Sequence, residues 1–235
     1  LLCSKPMKHL SFVCLLLAVL LSIACSFNTP SVVLTKKQRI YSYNQQGALT
    51  ERLAVFMLLE DGDGRNDYKD LTLREDTTGL EWALHRENTV FLQEAGYSKN
   101  AQWVGSNKFK YPRRFFPAGQ YTLSASDLGG NKTETTFSLQ APQIITFLPF
   151  EFTLETEQWT LNITDSSACS YFSLIMLSAD LQPLTVYQLQ TNGTDQQNGA
   201  LTTFENRPTD ARYIQCFGEN TDQSIGFLSA PLPLP

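Results

Sequence analysis

Phe116-Pro117-Ala118-Gly119-Gln120-Tyr121-Thr122-Leu123-Ser124-Ala125-Ser126-Asp127-Leu128-Gly129-Gly130-Asn131, followed by Phe137-Ser138-Leu139, is the stretch that decides the fold. Pro117 and Gly119 turn the chain into a strand. Tyr121, Leu123 and Ala125 then alternate with Thr122, Ser124 and Ser126, the two-residue period of a strand with one buried face. Asp127 to Asn131 carries the Asp, Gly and Asn of a tight turn, so the segment reads as a hairpin whose first arm sends Tyr121 into a core.

Outward from this hairpin the same punctuation recurs. Arg52–Leu59, Leu71–Arg74, Leu80–His85, Val90–Gln93, Gln102–Gly105 and Glu134–Leu139 are short apolar or alternating runs separated by Gly, Asn, Asp and Pro. Leu80, Trp82 and Leu84 face one way, and Glu81, Ala83 and His85 the other. After Gln140-Ala141-Pro142-Gln143 the pattern restarts. Glu151–Leu154, Trp159–Thr164, Tyr171–Ser178, Leu184–Gln190, Leu201–Phe204, Ala211–Gly218 and Ile225–Ser229 read as strands, with Asn192-Gly193 and Asn198-Gly199 as turns. Short strands at this spacing, with almost no helical period, predict an all-β protein of two tandem β-sandwiches, 41–140 and 141–235.

The N-terminal part has another character. Met7, Lys8 and His9 precede an apolar run from Leu10 to Ala24, and Cys25 follows. The run is shorter than the ~20 apolar residues of a bilayer-spanning helix and reads as a signal peptide over 1–24, with 1–6 upstream of its start. Cleavage before Cys25 removes Lys5 and Lys8 and no acid, taking the net charge from −5 to −7. An acidic chain is a poor nucleic-acid binder, and none is expected as a partner. Residues 25–40 read as a tether and the start of a first strand. Cys169 and Cys216 remain beyond Cys25. They are either a disulfide, worth about 4 kcal/mol by chain entropy, or two separate buried thiols.

Two resemblances sharpen this. Leu20-Leu21-Ser22-Ile23-Ala24-Cys25, with Leu21 four residues before the cysteine, resembles the looser lipobox of spirochaetal lipoproteins. It implies acylation of Cys25, a bilayer as partner, and a bacterial envelope address, periplasmic or surface-exposed. The Pro-x-Gly-x-Tyr strand and Asp-x-x-Gly-Asn hairpin, with Glu60–Asp67, Leu71-Thr72-Leu73, Leu80-Glu81-Trp82 and Trp103–Asn107 ahead of them, resemble immunoglobulin-like domains of treponemal lipoproteins. That implies immunoglobulin-like or fibronectin-type sandwiches.

Candidate chemistry is sparse. His85 is the sole histidine after cleavage, on the polar side of its strand, so a multi-histidine metal site is ruled out and a surface role is expected. No nucleophile elbow, phosphate loop or dinucleotide fingerprint occurs. Asp61, Asp63, Asn66 and Asp67, with Asp70 nearby, could offer oxygens to Ca2+, or could simply bond to their own backbone in a turn. Lys108, Lys110, Tyr111, Arg113 and Arg114, laced with Phe109, Phe115 and Phe116, form the one basic cluster. It is a candidate ligand surface if its rings face water, and a core strand if they do not. Asn131, Asn162 and Asn192 head chance glycosylation sequons. The expectation is a non-catalytic binding or scaffolding lipoprotein with no required cofactor, its protein or glycan partner unnamed. The alternatives are a structural or assembly component of the periplasm, where sandwich edges pair with other proteins, and a carbohydrate-active protein using two carboxylates.

Overall fold

The computed structural model describes residues 28–44, 46–62, 64, 66–92, 96–113, 115–142, 145–190, 194–204 and 206–235. The signal-peptide and lipidation readings, including Cys25, lie outside these residues. The first half contains β1 (Ser31–Tyr43), β2 (Leu49–Glu60), β3 (Tyr68–Glu75), β4 (Glu81–His85), β5 (Val90–Leu92), β6 (Ala101–Phe109), β7 (Gly119–Asp127) and β8 (Lys132–Leu139). The second contains β9 (Phe150–Glu155), β10 (Gln158–Ile163), β11 (Tyr171–Leu177), β12 (Pro183–Leu189), β13 (Gln196–Ala200), β14 (Tyr213–Glu219), β15 (Ile225–Leu228) and β16 (Leu232–Pro233). The protein is all-β, as expected.

The strands form three sheets. One runs β12-β11-β14-β15-β1-β2-β6-β5, with β16 also on β14; the others run β4-β3-β7-β8 and β13-β10-β9. The β2 side of the long sheet packs on β4-β3-β7-β8 around Leu53, Val55, Met57, Leu71, Leu73, Tyr121 and Leu123. The β14 side packs on β13-β10-β9 around Phe150, Trp159, Leu161, Phe172, Leu174 and Ile214. These side chains come from the alternating faces read in the sequence, and their removal from water drives the assembly.

The two cores are not separated by a linker strand. Arg39 to Ser42 of β1 pair in parallel with Ile225 to Leu228 of β15, while β1 pairs antiparallel with β2 along its whole length. The 40/41 boundary therefore falls inside a strand, and the first strand expected within 25–40 begins at Ser31. Val32-Val33-Leu34-Thr35-Lys36-Lys37 carries two adjacent cations within this strand. Lys37 Nζ lies 5.3 Å from the Phe137 ring and Lys36 Nζ 4.9 Å from the Trp103 ring, so each charge rests on an aromatic face. Beyond the seam, Tyr41 and Leu49 enter the second core, where Tyr41 stacks on Phe227 at 5.8 Å.

At the seam Arg39, 6% exposed, ion-pairs with Glu51, 5% exposed. Arg39 also donates to Phe116 O at 3.1 Å and Gln140 O at 2.6 Å. Burial raises the Glu51 carboxyl above its ordinary range, against the opposing pull of Arg39.

Two local readings change. Asn198-Gly199 is not a turn but part of β13, with Gly199 opposite Trp159. A Cβ at Gly199 would sit 2.7 Å from the indole, so this glycine is there to let the ring lie across it. Leu201–Phe204 is not a strand; Leu201–Thr203 is a 3₁₀ turn that buries Leu201.

Candidate functional site

The quoted hairpin forms as read, and it sets one end of the first sandwich. Tyr121 is fully buried and its hydroxyl donates to Pro117 O at 3.1 Å, four residues upstream, in the manner of a tyrosine corner. At the tip, Asp127 accepts from Asn131 N and Asn131 Nδ2, both at 2.7 Å. Leu128 N donates to Asp67 O at 2.7 Å, which ties the hairpin to the β2–β3 loop.

That tie corrects the predicted oxygen set. Asp61, Asp67 and Asp127 bring carboxylate oxygens within 4.8 Å of one another. Asp63 lies outside the described residues, and the Asn66 carbonyl accepts from Arg86 at 3.1 Å. Asp127, absent from the sequence-derived set, is 60 positions from Asp67 and arrives only through hairpin packing. Asp61 and Asp127 are buried among Pro30, Leu59 and Tyr68. Burial pushes the Tyr68 phenol up to about 12, and its hydroxyl pairs with Thr89 at 3.1 Å. Three convergent carboxylates are chemically able to hold a divalent cation.

The basic segment turns its rings inward. Phe109 and Phe116 are buried, and Phe115 packs against the second core. Tyr111 and Trp82 lie 5.5 and 5.3 Å from Phe116, and Trp82 Nε1 donates to Lys110 O at 2.9 Å. Lys108, Lys110 and Arg113 are exposed, and Arg114 lies outside the described residues. The segment is thus the end of β6 and a following loop whose rings pack inward while its charges are solvated, not an aromatic platform facing water.

Cys169 and Cys216 are free, buried thiols in the second core and not a disulfide. Cys216 faces inward from mid-β14. Cys169 sits in the turn before β11, with its sulfur 3.0 Å from where a Cβ on Gly218 would be. Burial pushes the Cys169 thiol up to about 12 and that of Cys216 higher still, so neither is a ready nucleophile. His85 is exposed, and its Nδ1 lies 2.8 Å from Asp70 Oδ1, the bond that raises its pKa. Of the sequons, Asn131 is engaged with Asp127 and Asn162 lies within β10; Asn192 is outside the described residues.

The feature least visible in the sequence is an edge. β12 ends the long sheet and pairs only with β11 among the described residues. Pro183–Leu189 carries no charge, and Val186 is 57% exposed. Leu184, Tyr187 and Leu189 pack partly on the second core, and the pairing with β11 shifts register only between Met176 and Leu177, where the strand begins at Pro183. The other edges are blunted: Glu81 and His85 on β4, Lys132 and Glu134 on β8, Glu151 and Glu155 on β9, and three residues only in β5. β13 is also uncharged, but it is five residues long and contains Asn198 and Gly199.

No protein-family model matches the chain, and no curated protein does. Among solved structures, it is similar to dimeric latent PorU from Porphyromonas gingivalis (TM-score 0.37, 11% identity), covering 88% of this chain and 20% of that one. It is similar to Tp47, the 47-kilodalton lipoprotein of Treponema pallidum (TM-score 0.37, 11% identity), covering 86% of this chain and 50% of that one. Murine CEACAM1b also superposes (TM-score 0.24, 13% identity), covering 85% and 99%. The chain thus spans a fifth of PorU and half of Tp47.

Proposed function

We propose that this protein is a non-catalytic scaffold of the bacterial envelope, anchored in a membrane through acylated Cys25 and engaging another envelope protein by strand addition at β12. The observation that carries the reading is the open, uncharged β12 edge at the end of a sheet running through both cores. Natural sheet edges are usually short, charged or covered, since free N–H and C=O groups recruit other strands. β12 lacks those protections while the chain's other long edges keep them. An incoming strand would gain main-chain hydrogen bonds over about 23 Å. The buried rings of Phe109 and Phe116 weigh against the alternative of an adhesive aromatic surface.

The test is photocrosslinking in cells from a reactive amino acid at Gln188, with Glu134 on the β8 edge as control. A discrete adduct at Gln188, absent at Glu134 and abolished by Val186→Lys, is expected. Equal adducts at both positions, or none at Gln188 in folded protein, would defeat the reading. Protease shaving of intact and permeabilised cells then assigns the side of the membrane on which the scaffold works.

A further inference from the structure

We propose that the end of the first sandwich where β1 begins is a lipid-contacting surface, seated on phosphodiester headgroups of the bilayer; this rests on the Cys25 anchor proposed above. The first ground is the length of chain available. Pro30 is buried beside Asp61 and Tyr68. Asn28 packs so closely on Gly62 that a Cβ there would lie 2.6 Å from Asn28 Nδ2. The folded body therefore begins by Asn28, and three residues beyond Cys25 reach at most about 10 Å. That is little more than the headgroup layer, so whichever surface surrounds Asn28 must meet the lipid.

The second ground is what that surface carries. The β2–β3, β5–β6 and β7–β8 connections all lie at this end, since Ser31 pairs with Glu60 and Glu60 with Ala101. The hairpin tip presents Leu128, 65% exposed, and the β5–β6 loop presents Tyr97, 40% exposed. An apolar tip and an amphipathic ring suit the interfacial zone. Beside the β5–β6 loop an open groove is lined by Asn66, Arg86, Phe91, Lys99 and Asn100. Arg86 is fixed in it, donating to Asn66 O at 3.1 Å and Tyr68 O at 2.7 Å with its guanidinium 5.2 Å from the Phe91 ring. Lys99 lines it, and Lys69 and Lys132 are exposed at the same end of the sandwich. A fixed guanidinium with mobile ammonium groups nearby fits a phosphodiester. Of the acids at this end, Asp61 and Asp127 are buried and Asp70 is engaged by His85, while Glu60 and Asp67 are half-buried and Glu87, beside Arg86, is exposed. β1 runs away from this end and β15 runs beside it in the same direction. The 178–182 turn after β11 is therefore at the far end, away from the lipid.

The experiment uses the chain from Cys25 onward, coupled through that thiol to a maleimide phospholipid in vesicles of mixed neutral and anionic lipid. Cys169 and Cys216 are buried and leave Cys25 as the reactive thiol. Amide hydrogen exchange is compared with the same chain capped by a small maleimide. Exchange at 96–100 and 128–131 is expected to slow at least fivefold on the vesicle, with 178–182 unchanged. Slowing at 178–182 instead, or at no loop, overturns the proposal. The coupled double variant Leu128→Asp with Tyr97→Asp should lose the slowing; its persistence would also overturn the proposal. An unmodified Cys25 in protein isolated from cells overturns the anchor reading, whereas an unchanged exchange pattern on the vesicle overturns the seating alone.

Discussion

Replacing Arg39 with leucine should destabilise the whole protein, and its cost can be worked from the seam. The substitution leaves Glu51 buried without its counter-charge, a loss of about 3–5 kcal/mol for buried pairs broken on one side. It also strips a donor from Phe116 O and Gln140 O, adding about 1 kcal/mol each. The total, about 5–7 kcal/mol, corresponds to a fall in Tm of roughly 10–30 °C for a chain of this size. Arg39→Leu combined with Glu51→Leu removes the orphan charge and should recover most of the ionic part, leaving a deficit of about 2 kcal/mol from the carbonyls. The pH dependence has a definite sign. Burial already raises the Glu51 pKa in the folded state, and loss of Arg39 removes an opposing influence. Its contribution to stability is therefore favourable at low pH and lost as pH rises through the folded value. The single variant should accordingly be penalised less at pH 5 than at pH 8. Urea unfolding of wild type, both single variants and the double variant at the two pH values measures this cycle. Fluorescence of Trp82 follows the first core, and that of Trp159 the second. A cost for Arg39→Leu below about 1 kcal/mol, or one unchanged between pH 5 and 8, would refute the reasoning.

Three further expectations follow from named contacts. In chain 26–235 a thiol reagent should find no reactive cysteine in the native state and two after denaturation without reductant; none after denaturation would mean that Cys169 and Cys216 are disulfide-bonded. Gly105→Ala would drive a Cβ to 2.2 Å from Val55 O, a backbone atom that cannot rotate away. It should cost about 3 kcal/mol, read as a Tm fall of several degrees, and an unchanged Tm would contradict the β2–β6 register. His85 should titrate above the ordinary histidine value by NMR and return towards it in Asp70→Asn. This pairing favours the fold below the unfolded histidine pKa, and the contribution is lost as pH rises through the folded value.

What the sequence disclosed and what it withheld divide by range. Strand faces were legible where alternation is strict, as in Tyr121-Leu123-Ala125 and Trp159-Leu161-Ile163, because two-residue periodicity needs only neighbours. The hairpin from Gly119 to Leu139 was legible for the same reason. A first strand was legible within 25–40, but not the partners of Lys36, Lys37 and Arg39, because Trp103, Phe137 and Glu51 are brought to them by sheet pairing and packing. Asp61 and Asp67 were legible as a local acidic loop, whereas their third member, Asp127, depends on how two loops meet. The basic segment was visible as a cluster, but the direction of its rings belongs to packing. Gly199 illustrates the ambiguity of Asn-Gly, which serves a turn or a close approach with equal ease.

The parallel pairing of β1 with β15 also bears on how the molecule acquires its fold. Arg39 waits for Ile225, 186 positions later, before that side of β1 is filled. So late a contact raises the mean sequence separation of the fold and slows its completion. During emergence from a ribosome or an export channel, the first core can gather around β2, β3 and β7 while one edge of β1 stays vacant. Its last partner arrives only when the C-terminal strands are free. The long sheet therefore closes last at its middle, where β1 and β15 meet, and the second core cannot be completed before that pairing forms.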